Sequence, residues 1–195
     1  MIELLGKSLE ELQSIFKTHN IQKFRAKQLI DYIYHRYIFD FEEMTQFPKE
    51  LRQWLSDNCV ISLPTLITES VSPDGKTRKI LVEMTDQSRV EAVLMEQHYG
   101  YSVCVSSQVG CAMGCVFCAS TQGGLYRDLT VSEIIGQVVI FGALTKEQIH
   151  SVVVMGAGEP LQNYDNVLQS LQLLHDPMIC NISYRKMTIS TCGWV

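Results

Sequence analysis

The sequence predicts an α/β protein in which a small helical segment and a short β meander precede alternating strands and helices. Three observations carry this expectation. Apolar residues recur at helical spacing through residues 1–60, short β-type runs separated by turn residues follow from Thr65, and strand-like and helical runs alternate after Tyr101. Composition agrees, since 195 residues, 46% hydrophobic, with a net charge of −5, suit a globular chain able to bury a sizeable core.

Ser8-Leu9-Glu10-Glu11 is a capping box, and Leu9, Leu12, Ile15 and Phe16 continue at helical spacing behind it. A second stripe runs from Phe24 through Leu29, Ile30, Tyr32 and Ile33. Pro48 opens a third helix whose Leu51, Trp54 and Leu55 share a face. From residue 61 to 98 the runs "TLITESV", "RKILVEM" and "VEAVLMEQ" alternate with the turn signals Pro73-Asp74-Gly75 and Thr85-Asp86-Gln87-Ser88, which predicts an antiparallel meander. Residues 99–195 then read as a βαβαβ series on a parallel sheet. "YSVCVSS" is its first strand, and Thr130-Val131-Ser132-Glu133 caps the first helix. "HSVVVM" follows as the second strand, "NYDNVLQSLQLLH" as the second helix and "YRKMTIS" as the third strand.

Several function classes are set aside by composition. No apolar run approaches the roughly 20 residues of a membrane span, and the acid-bearing start lacks a basic-then-apolar signal layout, so a cytoplasmic location is expected. Seven cysteines, an odd number concentrated in one segment, argue for metal or redox chemistry rather than a disulfide scaffold. The acidic total gives no general case for nucleic-acid binding, so an RNA partner would need a local patch. Lys23, Arg25, Lys27, Lys49 and Arg52 offer a weak one, because interleaved acids make a solvated helix face the plainer explanation.

Three stretches can carry chemistry. In "SSQVGCAMGCVFCAST", Cys111, Cys115 and Cys118 stand at spacings of four and three just past a strand end. Three thiolates suit a four-iron cluster with one iron left open, whereas structural zinc wants four ligands. A zinc site completed by a distant residue, or three small buried thiols, stay open as alternatives. In "VVVMGAGEPLQN", Gly156 and Gly158 let backbone approach a ligand, and Glu159 places a carboxylate after a strand that could meet an amino group. Taken alone, a plain strand-to-helix turn is the favoured account, and no Walker lysine is present. In "TISTCG", Ser190 and Thr191 close the third strand and could bond a ribose or a carboxylate.

Taken together these stretches resemble one family. "GCAMGCVFC" resembles the CxxxCxxC signature of radical S-adenosylmethionine (SAM) enzymes. "CVSSQVGC", "VSEIIGQV", "GAGEPL" and "TISTCG" are similar to the RNA adenine-C2 methyltransferases of RlmN type, and "FRAKQLIDYIY" and "DFEEMTQFPKELR" resemble that family's helical N-terminal domain. The resemblance implies a partial (βα) barrel of radical SAM type, a [4Fe–4S] cluster on Cys111, Cys115 and Cys118, and SAM held by Gly158, Glu159 and Ser190. It further implies that Cys104 is a resolving cysteine that attacks an enzyme–RNA adduct and leaves a disulfide, and that Glu91 is a proton acceptor. Read from the residues alone, Cys104 is an inward-facing strand residue and Glu91 a solvated carboxylate. Cys59, Cys180 and Cys192 have no role in that pattern and read as ordinary thiols.

By the same resemblance the partners are ribosomal RNA and tRNA and an electron donor such as flavodoxin, for a protein expected to be a monomer. The family's methyl-carrying cysteine lies near its C-terminus and has no counterpart before Val195, and the sheet stops after about three of six barrel strands. Two expectations follow. The chain is an adenine-C2 methyltransferase or its N-terminal portion, or it is a catalytically incomplete remnant acting at most as an RNA- or metal-binding module. A zinc-binding regulatory protein is a third and lesser reading.

Overall fold

The computed structural model describes residues 1–193, and the last two residues of the 99–195 segment, Trp194 and Val195, lie outside the described residues. Strand β1 (Ile2–Glu3) pairs in parallel with β2 (Cys59–Val60), closing the helical module end to end. Helix α1 (Leu9–Thr18) starts at the expected capping box: Ser8 Oγ accepts from the Glu11 N–H at 3.2 Å, and Glu11 Oε2 accepts from the Ser8 N–H at 2.8 Å. The second stripe divides into helix α2 (Arg25–Ile30) and a π turn (Asp31–His35). Consecutive Tyr32, Ile33 and Tyr34 are all buried in this turn. Helix α3 (Lys49–Asn58) follows Pro48, and Trp54 meets Phe16 edge to face at 6.5 Å between ring centres.

Four antiparallel strands come next: β3 (Thr65–Val71), β4 (Thr77–Glu83), β5 (Arg89–Gln97) and β6 (Gly100–Val105). A small hairpin, β7 (Gln108–Gly110) with β8 (Leu125–Asp128), encloses the cysteine loop. Helix α4 (Val131–Thr145), strand β9 (Ile149–Val154), helix α5 (Tyr164–His175) and strand β10 (Met187–Ile189) complete the fold. The meander and the parallel strands share one six-stranded sheet in the order β10-β9-β6-β5-β4-β3. Strands β6, β9 and β10 are parallel, and β6 is the seam, antiparallel to β5 on one side and parallel to β9 on the other. The third parallel strand is shorter than its sequence suggests, because Ser183 caps a 3₁₀ turn over Tyr184–Lys186 before β10 begins.

Helix α4 is buried almost all round and joins the two layers. Its Ile134, Ile135, Val138 and Phe141 lie in one continuous core with Leu12 and Phe16 of α1 and with Val103 and Val152 of the sheet. Two glycines permit that close packing. A Cβ at Gly136 would meet Pro64 at 2.5 Å, and one at Gly142 would collide with the Tyr37 ring. Among the described residues no helix is long and apolar enough to cross a membrane.

Candidate functional site

The site is built at the carboxyl ends of β6, β9 and β10, where alternating strand and helix leave a crevice. After β6, the hairpin of β7 and β8 holds residues 111–124 as a loop whose base is fixed by the Cys111 N–H donating to the Gly124 carbonyl at 3.0 Å. Gly110 makes that closure possible, because it has φ +75° and a Cβ there would strike the Gly124 oxygen. Thr121 Oγ1 ties the loop internally, donating to the Cys111 carbonyl at 3.1 Å and accepting from the Gly114 N–H at 2.8 Å.

A cleft of about 300 Å³ brings together Cys111, Cys115, Cys118, Gly158, Glu159 and Ser190. Three stretches well separated in sequence therefore meet at one site. Thr191, expected from the sequence to be able to bond a carboxylate, also lines it, as does Cys192, which reads in the sequence as an ordinary thiol. Its position two residues past Ser190 at a strand end was the available signal. Glu159 is 3% exposed, yet both carboxylate oxygens are engaged. Oε1 accepts from Thr191 Oγ1 at 2.6 Å and from the Leu161 N–H at 2.8 Å, and Oε2 accepts from the Cys192 N–H at 2.8 Å. Burial pushes this carboxyl upward, but the bonds from Thr191, Leu161 and Cys192 outweigh it and hold it at about 2, fully ionised near neutral pH. The same carboxylate raises the Cys192 thiol.

Glu91 and Cys104 lie elsewhere. Pairing of Leu81 with Glu91 and of Val93 with Cys104 puts both on the sheet face opposite the helices, outside the lining of the cleft. Glu91 is solvated and ion-paired with Lys79 Nζ at 2.8 Å. The Cys104 thiol is raised by burial, with the backbone at Met155 acting in the opposite direction. All seven cysteines are free, so Cys104 carries no disulfide here. Its facing neighbours are Val93 and Val153, and neither carries sulfur.

Beneath the cleft an ionic clasp fixes the hairpin to the meander and to α4. Arg127 reaches Glu133 through both terminal nitrogens at 2.7 and 2.8 Å, and its Nε reaches Asp86 Oδ2 at 2.7 Å. Arg127 and Ser88 hold the Asp86 carboxyl well below the usual carboxylate range. Glu133 also completes the α4 capping box with Thr130, so one carboxylate serves the helix start and the loop base together.

The donor chemistry of the cleft fits an iron–sulfur group. Three cysteines line the cleft together with Gly156 and Gly158, and Met113 and Phe117 add apolar surface. As the side chains stand, no three His, Cys, Asp or Glu among the described residues are gathered tightly enough to hold a metal ion.

Fold and site define a radical SAM protein. Residues 105–195 match the model of the Radical SAM superfamily, and the structure superposes on that of a radical SAM methyltransferase from Sphaerobacter thermophilus with a TM-score of 0.93 at 34% identity, covering 100% of this chain and 58% of that one. Residues 2–61 match the ribosomal RNA large subunit methyltransferase N-terminal domain. Relatives carrying the name "Probable dual-specificity RNA methyltransferase RlmN" align along nearly all of the chain. The one from Clostridium perfringens strain 13 is 46% identical over 195 residues, and that from Symbiobacterium thermophilum is 47% identical over 194. The chain thus carries the N-terminal and radical SAM domains found in RlmN-type methyltransferases and is similar to them along its length. It spans about half the length of the curated relatives it matches, 56% and 52% for those two.

Proposed function

We propose that this chain is the cofactor-holding and RNA-facing part of an enzyme that methylates C2 of adenine in 23S rRNA and tRNA. The observation that carries this reading is the meeting of Cys111, Cys115 and Cys118 with Gly158, Glu159 and Ser190 around one cleft. In this reading the three cysteines hold a [4Fe–4S] cluster. Gly158 leaves room for the backbone of the turn to approach SAM, Glu159 faces its ammonium group and Ser190 contacts it by hydroxyl. When bound, the cluster supplies the electron that cleaves SAM to an adenosyl radical.

The protein's own contribution is geometry and charge. Glu159 is ionised and fixed before any ligand arrives, so little is spent on ordering it, and with Oε1 already accepting two bonds it is Oε2, accepting one from the Cys192 N–H, that would meet an ammonium. Cys104 and Glu91 share one sheet face, and in this reading they serve as resolving thiol and proton acceptor toward an RNA adduct. Ribosomal RNA and tRNA as substrates, and an electron donor such as flavodoxin, complete the proposal.

A second reading is a binding module for RNA or metal without turnover. Anaerobic reconstitution with iron and sulfide separates the two. Four irons per chain, a reduced-cluster paramagnetic signal and 5′-deoxyadenosine formed from SAM, all lost in Cys115→Ala, are expected. Tight zinc, or no metal, would leave the binding module as the better account.

A further inference from the structure

We propose that Gln108 is a positioning residue that sets the cysteine loop in register with the Glu159 turn, an inference that rests on the SAM-binding reading of the cleft. Gln108 stands three residues before Cys111 on β7 and is completely buried. Its amide faces two ways. Oε1 accepts from the Glu159 N–H at 2.8 Å, and Nε2 donates to Asp128 Oδ1 on β8 at 2.7 Å and lies 3.4 Å from Gln162 Oε1. One side chain thus bonds the strand that closes the cysteine loop and the turn that carries the carboxylate.

Contact reinforces the hydrogen bonds. A Cβ at Gly158 would meet Gln108 Cβ at 2.6 Å, so the φ +106° turn at Gly158 lies directly against the Gln108 stem. Backbone bonds from Ser107 and Gln108 to the Ala157 carbonyl, at 2.9 and 3.1 Å, hold the same two segments side by side. Asn163 completes the arrangement by donating to the Ser107 and Leu129 carbonyls at 2.8 and 2.7 Å. Neither of two replacements of similar size satisfies both ends of this site. Glutamate keeps the acceptor but sets a carboxylate against Asp128, and methionine keeps the volume but neither bond.

The test compares Gln108→Met and Gln108→Glu with the parent chain after reconstitution with iron and sulfide. The readouts are hydrogen exchange at the Glu159 amide, iron content, and the change in the reduced-cluster paramagnetic spectrum on titration with SAM. In Gln108→Met, faster exchange at Glu159 and a roughly tenfold weaker SAM affinity are expected, the factor that one lost hydrogen bond produces, with iron content retained. In Gln108→Glu, protection at Glu159 returns while iron uptake falls, because the loop base is repelled from Asp128.

Parental exchange at Glu159 and parental SAM affinity in Gln108→Met would overturn the proposal. So would equal losses of iron, protection and thermal stability in both variants, which would make Gln108 a fold residue only. If the parent chain itself binds no SAM, the reading of the cleft fails, while exchange at Glu159 still decides whether Gln108 positions the turn.

Discussion

Gln137 and Ser106 grip each other in both directions: the Ser106 N–H donates to Gln137 Oε1 at 2.8 Å, and Gln137 Nε2 donates to the Ser106 carbonyl at 3.0 Å. A side-chain amide thereby replaces the strand partner that β6 lacks at its end, and α4 is docked where the chain turns toward the cysteine loop. Gln137 is 0% exposed and Ser106 1%, so water cannot take over either bond. Gln137→Leu is expected to cost about 3 kcal/mol, two buried backbone groups being left unpaired. A fall in thermal midpoint of roughly 10 °C follows for a chain of this size. Urea unfolding measures it, and a loss below about 1 kcal/mol would refute this account.

Gly110→Ala tests the base of the loop. The added methyl meets the Gly124 carbonyl in a backbone conformation that already disfavours a side chain, so the closure at Cys111 must open. Iron bound after reconstitution is expected to drop severalfold while helical circular dichroism is unchanged, since the loop lies outside the main core. Parental iron content would show that the closure is dispensable.

Glu159 predicts a pH dependence of stability. Its folded value of about 2 lies below the ordinary 4.5, so its contribution is fully present above about pH 4.5 and is lost as pH falls toward 2. Urea midpoints for the parent and Glu159→Gln, measured from about pH 6 to about pH 3, are expected to converge with acidification. Parallel curves would mean that the bonds from Thr191, Leu161 and Cys192 do not discriminate the charged form.

Arg127→Lys is expected to destabilise the chain by about 1–2 kcal/mol, although charge is conserved. A lysine cannot supply the paired bonds to Glu133 together with the bond to Asp86. Equal denaturation midpoints for the parent chain and Arg127→Lys would show that only the charge matters.

Local signals were legible in the sequence wherever one short segment determined its own structure. Both capping boxes formed as read, because Ser8 with Glu11 and Thr130 with Glu133 need only one turn of helix to close. The meander and the parallel strands likewise follow from period and turn residues. What stayed hidden depends on distant partners. The π turn at Asp31–His35 answers to burial against the core, and β1 with β2 pairs segments far apart in the chain. Within the site, the three cysteines, Gly158, Glu159 and Ser190 were visible as motifs. The Cys192 position and the two-sided use of Gln108 exist only once the strands are side by side.

Helix α4 gives the molecule a fixed ruler. At roughly 1.5 Å per residue it runs about 18 Å from the Thr130 cap beside the cysteine hairpin to Gly142, where the Tyr37 ring is seated. Residues 133–142 are buried along its length, and no proline interrupts the helix. The Thr130 cap and the Gly142 contact are therefore held apart by one uninterrupted helical rod.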